Sequence, residues 1–238
     1  DFLKGRRALD AGVGGMGRAL RSIYKLGCRD ITAIDISKEN IRNAMRANRD
    51  ISQFINYETK NVLSLDYEDS AFDFIHCSGV LVCVESPEKG LGQFYRCLSP
   101  GGWLYVALYG SGGVLYGLAN LARRLARFVP YEIAFRSFVR LFRGAVASYF
   151  LDYLYTPIQF HYSEEEAREL VSRSGFSDIR RLKQPRPLSS TIWDKLIKPS
   201  TFDPRTRLGS WLAGSGWIIL MAQKPDAEHR SSSESRSS

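Results

Sequence analysis

Cysteine and histidine are scarce in this chain of 238 residues, with four of the first and three of the second. Cys28, Cys77, Cys83 and Cys97 form no C-x-x-C pair, and the histidines do not supply the missing ligands, so no zinc site or redox motif is expected. Unpaired thiols point to a reducing, cytoplasmic setting. Long apolar runs are also missing. None reaches the roughly 20 residues of a membrane span, and no secretory signal opens the chain. An initiating methionine is absent: the chain begins at Asp1 and runs almost at once into a predicted strand, so residues upstream are expected. Acid is in short supply relative to base. Lys and Arg total 33 against 25 Asp and Glu, a net charge of +8. That balance favours anionic partners but says nothing about fold. What remains is the composition of a globular protein, 44% hydrophobic and 24% charged, able to bury a core.

The apolar pattern alternates between short runs and helical spacings. "RRALDAG" reads as a first strand, and the segment after it carries Ala19, Leu20, Ile23 and Leu26 at helical intervals up to Gly27. "DITAIDIS" is a second strand. "KENIRNAMRANRDI" is a helix with Ile41, Ala44, Met45 and Ala47 facing inward, and "INYETKN" is a third strand. "FDFIHCSGVLV" is nearly all apolar, as expected of a strand buried on both faces. Ser86 and Pro87 open a helix carrying Leu91, Phe94, Tyr95 and Leu98; "SPGG" breaks it and "WLYVALYG" is a fifth strand. Two helical stretches, 113–129 and 131–155, follow on either side of Pro130. A helix over "SEEEARELVSRSGF" and two strands, "SDIRRLK" and "SGWIILMAQK", complete the order. The last two have no clear helix between them and should pair antiparallel. The expectation is an α/β fold: a doubly wound, mostly parallel, seven-stranded sheet with an antiparallel last strand and a helical insertion after strand five. The expected boundaries are a nucleotide-binding core over 1–110, the insertion over 111–160, the rest of the sheet over 161–225 and a disordered Ser-rich tail over 226–238.

Gly12, Gly14 and Gly17 in "DAGVGGMG" fit G-x-G-x-x-G between a predicted strand and a predicted helix. Asp35 ends the second strand, where a carboxylate can accept both ribose hydroxyls of an adenosine cofactor. These features leave NAD and S-adenosylmethionine (SAM) both open. Asp10 distinguishes them. A pyrophosphate on this turn would meet a carboxylate at the tip of strand one, and at about 5 Å and an effective dielectric near 20 each charge pair costs on the order of 3 kcal/mol. The sulfonium and amino groups of SAM reverse that sign.

"ALDAGVGGMG", "ITAIDIS" and the region from "NVLSLDYEDSAFDFIHCSGVLV" through "WLYVALYG" together resemble class I SAM-dependent methyltransferases. The resemblance covers residues 6–110 and resumes at "HYSEEEARELVSRSGFSDI". It implies that Asp10, Ala11, Gly12 and Gly14 surround the methionine half of SAM and that Asp35 and Ile36 meet the ribose and adenine. It also implies that Asn61 and Val62 meet the adenine edge and that Ser78 lies beneath the methionine amino group. Two departures stand out: Gly15 and Met16 occupy positions where many relatives have a small residue and then glycine, and "LVCV" replaces a paired-histidine segment.

Members of that family often insert a substrate cover after strand five. Here the insertion carries Arg123, Arg127, Arg136, Arg140 and Arg143 among aromatics. Arg136, Arg140 and Arg143 share one helix face. The arginines suit a solvated lid, a pocket for a small acceptor that is hydrophobic or acidic, a membrane-surface helix near a lipid-like substrate, or an RNA clamp. RNA has the least support, because strand four ends in "CSGV" rather than an N-P-P-Y type motif, and the neighbours of Cys77 do not match a cytosine-methylating nucleophile. His161 in "PIQFHYS" is the candidate general base, with Tyr155 and Tyr162 as orienters; His76, within the fourth strand, reads as structural. The expected activity is methyl transfer to a small molecule, and the competing reading is a SAM-binding protein that transfers nothing. The sequence leaves the oligomeric state open.

Overall fold

The computed structural model describes residues 2–141, 151, 154–182, 206–208, 211 and 214–226. The strands are β1 (Arg7–Ala11), β2 (Asp30–Asp35), β3 (Ile55–Thr59), β4 (Phe72–Ser78), β5 (Leu98–Tyr109), β6 (Ser177–Arg181) and β7 (Trp217–Gln223). They form one sheet in the order β3-β2-β1-β4-β5-β7-β6. β1 through β5 are parallel, and β6 and β7 pair antiparallel, as expected. The backbone also runs antiparallel between β5 and β7, with Gly101 N–H on Lys224 C=O at 2.9 Å and Lys224 N–H on Gly102 C=O at 3.0 Å. The order reverses between β1 and β4. In such sheets the ends of these two strands flank the crevice where ligands bind.

The longer helices among the described residues are α1 (Arg18–Lys25), α2 (Lys38–Ala47), α3 (Pro87–Cys97), α4 (Val114–Ala126), α5 (Tyr131–Leu141) and α6 (Glu164–Arg173). Ser37 caps α2 by accepting from Asn40 N–H, and Ser86 caps α3 by accepting from Lys89 N–H, with Pro87 in the first turn. One face of the sheet buries Ala8, Ala33 and Phe74 in a cluster with Leu20 and Ile23 of α1 and Ile41 and Ala44 of α2. This is what the i, i+3 spacing of those helices requires.

Four local expectations need correction. The fourth strand stops at Ser78 instead of continuing through Val82, because Gly79 turns with φ 72° and Leu81–Cys83 form a 3-10 turn. "SPGG" belongs to β5, which starts at Leu98; the ladder with β4 slips between Phe72 and Phe74, and Gly101 at φ 72° absorbs the irregularity. α2 ends at Ala47 and gives way to a 3-10 turn over Arg49–Phe54; its buried face runs through Ile41, Ala44 and Asn48, and Met45 is exposed. Leu26 lies just beyond α1 and is exposed as well. The predicted second insertion helix is described only to Leu141. Its continuation to 155, with Arg143, and the tail beyond 226 fall largely outside the described residues.

By compactness the chain divides into two units. One holds residues up to Leu108, the α6–β6 segment and the chain from Ile218; the other holds Tyr109–Glu164 and the described residues up to Trp217. In the second unit Gly110 N–H donates to Gly216 C=O at 2.6 Å. A Cβ on Gly110 would lie 2.1 Å from that carbonyl oxygen, so only glycine allows this approach.

Candidate functional site

The glycine turn is built from β1 outward. Gly12 and Val13 N–H both donate to Ile34 C=O, at 2.8 and 2.9 Å, which ties the turn to the end of β2. Gly12 has φ 85°, and a Cβ there would lie 2.1 Å from Val80 Cγ2. Gly14 has φ 61° and open space where a Cβ would point. Gly17 takes the left-handed conformation at the entry to α1, with φ 53°. The two glycines nearest β1 therefore serve different purposes: Gly12 allows close packing beneath the turn, and Gly14 leaves the space above it clear. Met16, at the departure from the family pattern, is exposed and disturbs nothing.

Asp35 closes the turn from β2. Its Oδ2 accepts from Gly14 N–H at 2.9 Å, and its Oδ1 accepts from Ser37 N–H at 2.9 Å and from Asn40 Nδ2 at 3.2 Å. Three donors fix this buried carboxylate, and Oδ2 keeps a lone pair for a further donor. Ile36, next along the chain, is 72% exposed. Lys60 N–H donates to Asp35 C=O at 3.1 Å, which brings the end of β3 and the following Asn61–Val62 pair to the same edge. Asn61 Oδ1 accepts from Leu63 N–H at 2.9 Å, so this side chain also shapes its own turn. Val62 is buried. Lys60 is paired with Glu58 and Asp66, and so brings no uncompensated positive charge to this edge.

Asp10 faces the side of the sheet that carries Ala33, its neighbour on β2, and His76, its neighbour on β4. It is 1% exposed. Its Oδ1 lies 2.7 Å from His76 Nδ1, and its Oδ2 is buried with no protein partner among the described residues. His76 in turn stacks on Tyr105 of β5, ring centroids 4.7 Å apart. Tyr57, the neighbour of Ala33 on β3, extends the row. Burial pushes its phenol up to about 12, and the Asp10 carboxylate adds to the shift. One face of the sheet thus carries a polar row, Tyr57–Ala33–Asp10–His76–Tyr105, directly behind the glycine turn. Leaving a buried carboxylate with no donor at all would cost several kcal/mol, and His76 supplies one.

The structure brings Asp10, Ala11, Gly12, Gly14, Asp35, Ile36, Asn61 and Val62 to the carboxyl ends of β1, β2 and β3. Ser78 joins them at the end of β4, one position past the Ala11–Cys77 pair. His161 belongs to the second unit. There it packs on the rings of Tyr116 and Tyr109, centroids 4.5 and 5.7 Å away. Tyr155 OH donates to Val129 C=O at 2.8 Å, and Tyr162 N–H donates to Tyr109 C=O at 2.9 Å. Cys77 is fully buried, and burial pushes its thiol up to about 12, which suits a core residue and not a nucleophile.

Sequence reasoning missed two supporting residues and one contact. Asn40 orients Asp35. Asn48, almost fully buried, donates to the carbonyls of Met16, Gly17 and Ala44 and so fastens the end of the turn to α2. His76 is structural as expected, and the contact that makes it so is the one to Asp10. The parallel register of "ALDAG" and "FIHCS" was the available signal, since both polar residues fall one place before a small residue at the strand end.

A glycine turn at the sheet's switch point, with a fixed acid at the end of β2 and a buried acid at the end of β1, is the arrangement found in α/β domains that bind nucleoside cofactors. Comparison with known proteins makes this specific. Residues 9–106 match the family described as "Methyltransferase domain". Over that stretch the chain is similar to methyltransferase domains, and its fold is shared by solved SAM-dependent methyltransferases. It is 32% identical over 130 residues to the ubiquinone biosynthesis O-methyltransferase of Xanthomonas oryzae pv. oryzae, covering 54% of each chain. Over 113 residues it is 28% identical to phosphoethanolamine N-methyltransferase 2 of Caenorhabditis elegans, covering 47% of this chain and 26% of that one. The chain therefore spans about half or less of these relatives. A SAM-dependent methyltransferase structure from Mesorhizobium loti shares the fold, with a TM-score of 0.59 and 19% identity over 94% of this chain and 93% of that chain.

Proposed function

We propose that the protein transfers the methyl group of SAM to a small acceptor that is hydrophobic or carries an acidic group. The observation that carries this reading is the pair of carboxylates around the glycine turn. Asp35 is held by three donors and retains acceptor capacity for ribose hydroxyls. Asp10 has a buried oxygen without a partner among the described residues. That orphan oxygen places net negative character behind the turn, which suits a cationic ligand and opposes a pyrophosphate. Ile36, an apolar side chain left in water beside Asp35, offers a surface for the adenine ring, and we assign the Val62 backbone amide to the adenine edge.

SAM supplies a methyl carbon activated by a sulfonium. The chain's own residues bind and orient it, and alignment with the acceptor can account for several kcal/mol of the barrier. Where the acceptor must lose a proton, we assign His161 to receive it. Burial, and then the Arg123 charge, hold its pKa below the usual histidine value, so it is neutral and able to accept a proton at pH 7. The sign follows: this function is present above pH 6.5 and is lost as acid protonates the imidazole. The relatives support both acceptor properties, since one is named for ubiquinone biosynthesis and another for phosphoethanolamine. The unpaired state of the four cysteines supports a reducing compartment.

The test is turnover of methyl-labelled SAM with a metabolite and lipid extract. A labelled product that falls in a His161→Ala variant is expected. Tight SAM binding with no labelled product in any fraction would instead make this a SAM-binding protein without transferase activity.

A further inference from the structure

We propose that α4 and the segment leading into α5 form a docking surface for an anionic lipid bilayer. Val114, Leu118, Leu121, Leu125 and Phe128 recur at spacings of four and three, so they share one face within an arc of about 80°. They are not core residues. Leu118 is 57% exposed, Leu121 54%, Leu125 59% and Phe128 86%. Tyr131, Ile133 and Phe135 of α5 are exposed as well. Phe128 is held in this position: its N–H donates to Leu125 C=O at 3.1 Å, and the next residue, Val129, is fixed by Ala126 C=O and by Tyr155 OH. An apolar stripe of this size left in water marks an interaction surface.

The charges around the stripe identify the partner. Among the residues whose side chains are described from Gly112 to Ser137 there are four arginines, Arg123, Arg124, Arg127 and Arg136, against a single acid, Glu132. Arg124, Arg127 and Arg136 are exposed, whereas Arg123 turns inward to Thr156 C=O at 2.7 Å. Two copies of the same face brought together would set arginine against arginine. An acidic headgroup layer over hydrocarbon complements both features at once. None of the described helices is long and apolar enough to cross a membrane, so α4 would lie along the surface, its apolar side sunk into the boundary region. This inference stands on the exposure and charge of the second unit alone and does not depend on the identity of the methyl acceptor.

Flotation of the full chain with vesicles tests it. Vesicles of phosphatidylcholine with about one quarter phosphatidylglycerol should carry the protein up, and pure phosphatidylcholine should carry much less. Replacing Leu118, Leu121 and Leu125 together by Gln should weaken binding at least tenfold, and Arg124→Gln with Arg127→Gln should remove the preference for the anionic lipid. S-adenosylhomocysteine binding serves as the check on folding. If the triple variant fails that check, Phe128→Ser, at a side chain almost wholly in water, takes its place and should still weaken binding severalfold. The proposal is overturned if the wild type does not float or if the folded variants float as well as it does. Light scattering that shows a self-associated wild type and a monomeric variant, neither binding vesicles, would assign the face to a second copy of the chain instead.

Discussion

Asp10 and His76 show most directly how the site depends on single side chains. His76 gives the buried Asp10 carboxylate its one protein donor among the described residues. His76→Leu removes that donor while keeping the bulk, and should cost about 1–3 kcal/mol in urea unfolding. An unchanged midpoint would mean the contact holds nothing. Cys77 supplies a second residue-scale expectation. Its thiol is buried and pushed up to about 12, so iodoacetamide at pH 8 should leave it unlabelled until the protein unfolds. Mass spectrometry that finds Cys77 labelled in the native protein would contradict its assignment to the core.

Among the elements, the glycine turn is the most constrained. Gly12→Ala places a methyl group where Val80 already sits and forces a side chain to adopt φ 85°. A loss of about 1–3 kcal/mol is expected, of which Val80→Ala in the same chain should restore the steric part and not the backbone strain. Thermal melts of the two variants separate these contributions. The turn was legible in the sequence because its signals are local: a strand, glycines at fixed spacing and a helix. Asp35 was legible for the same reason. Asn48 was not, because it follows Ile41 and Ala44 on the buried face of α2, where the pattern of apolar residues alone gives no reason to look for a polar one. The continuation of strand four into "GVLV" misled for a related reason. An apolar run reads as strand whether it lies in the sheet or packs just past its end, and only Gly79 marked the turn. The Asp10–His76 contact lies between these cases: each residue was visible, but their pairing depends on register between strands 66 residues apart.

At the scale of the whole molecule, burial of neutral groups sets the response to alkali. Tyr57 and Cys77 fold with pKa values raised to about 12, from ordinary values of 10.0 and 9.0. Each holds its proton more tightly when folded, so the stability it contributes is complete below its ordinary value. That stability is lost as pH rises toward 12. Urea midpoints should therefore be level from pH 7 to about 9 and then fall, and Tyr57→Phe should make the fall shallower. Binding also involves the whole domain. SAM at about one hundred times its Kd should add roughly 2.7 kcal/mol to the unfolding free energy. The sign of the charge behind the glycine turn decides between a methyl donor and a dinucleotide, and calorimetric titration of SAM into wild type and Asp10→Ala measures it most directly. The variant, shown to be folded, should bind SAM at least tenfold more weakly. Equal affinity in the two proteins, or NADH binding where SAM does not, would contradict this reading of the site.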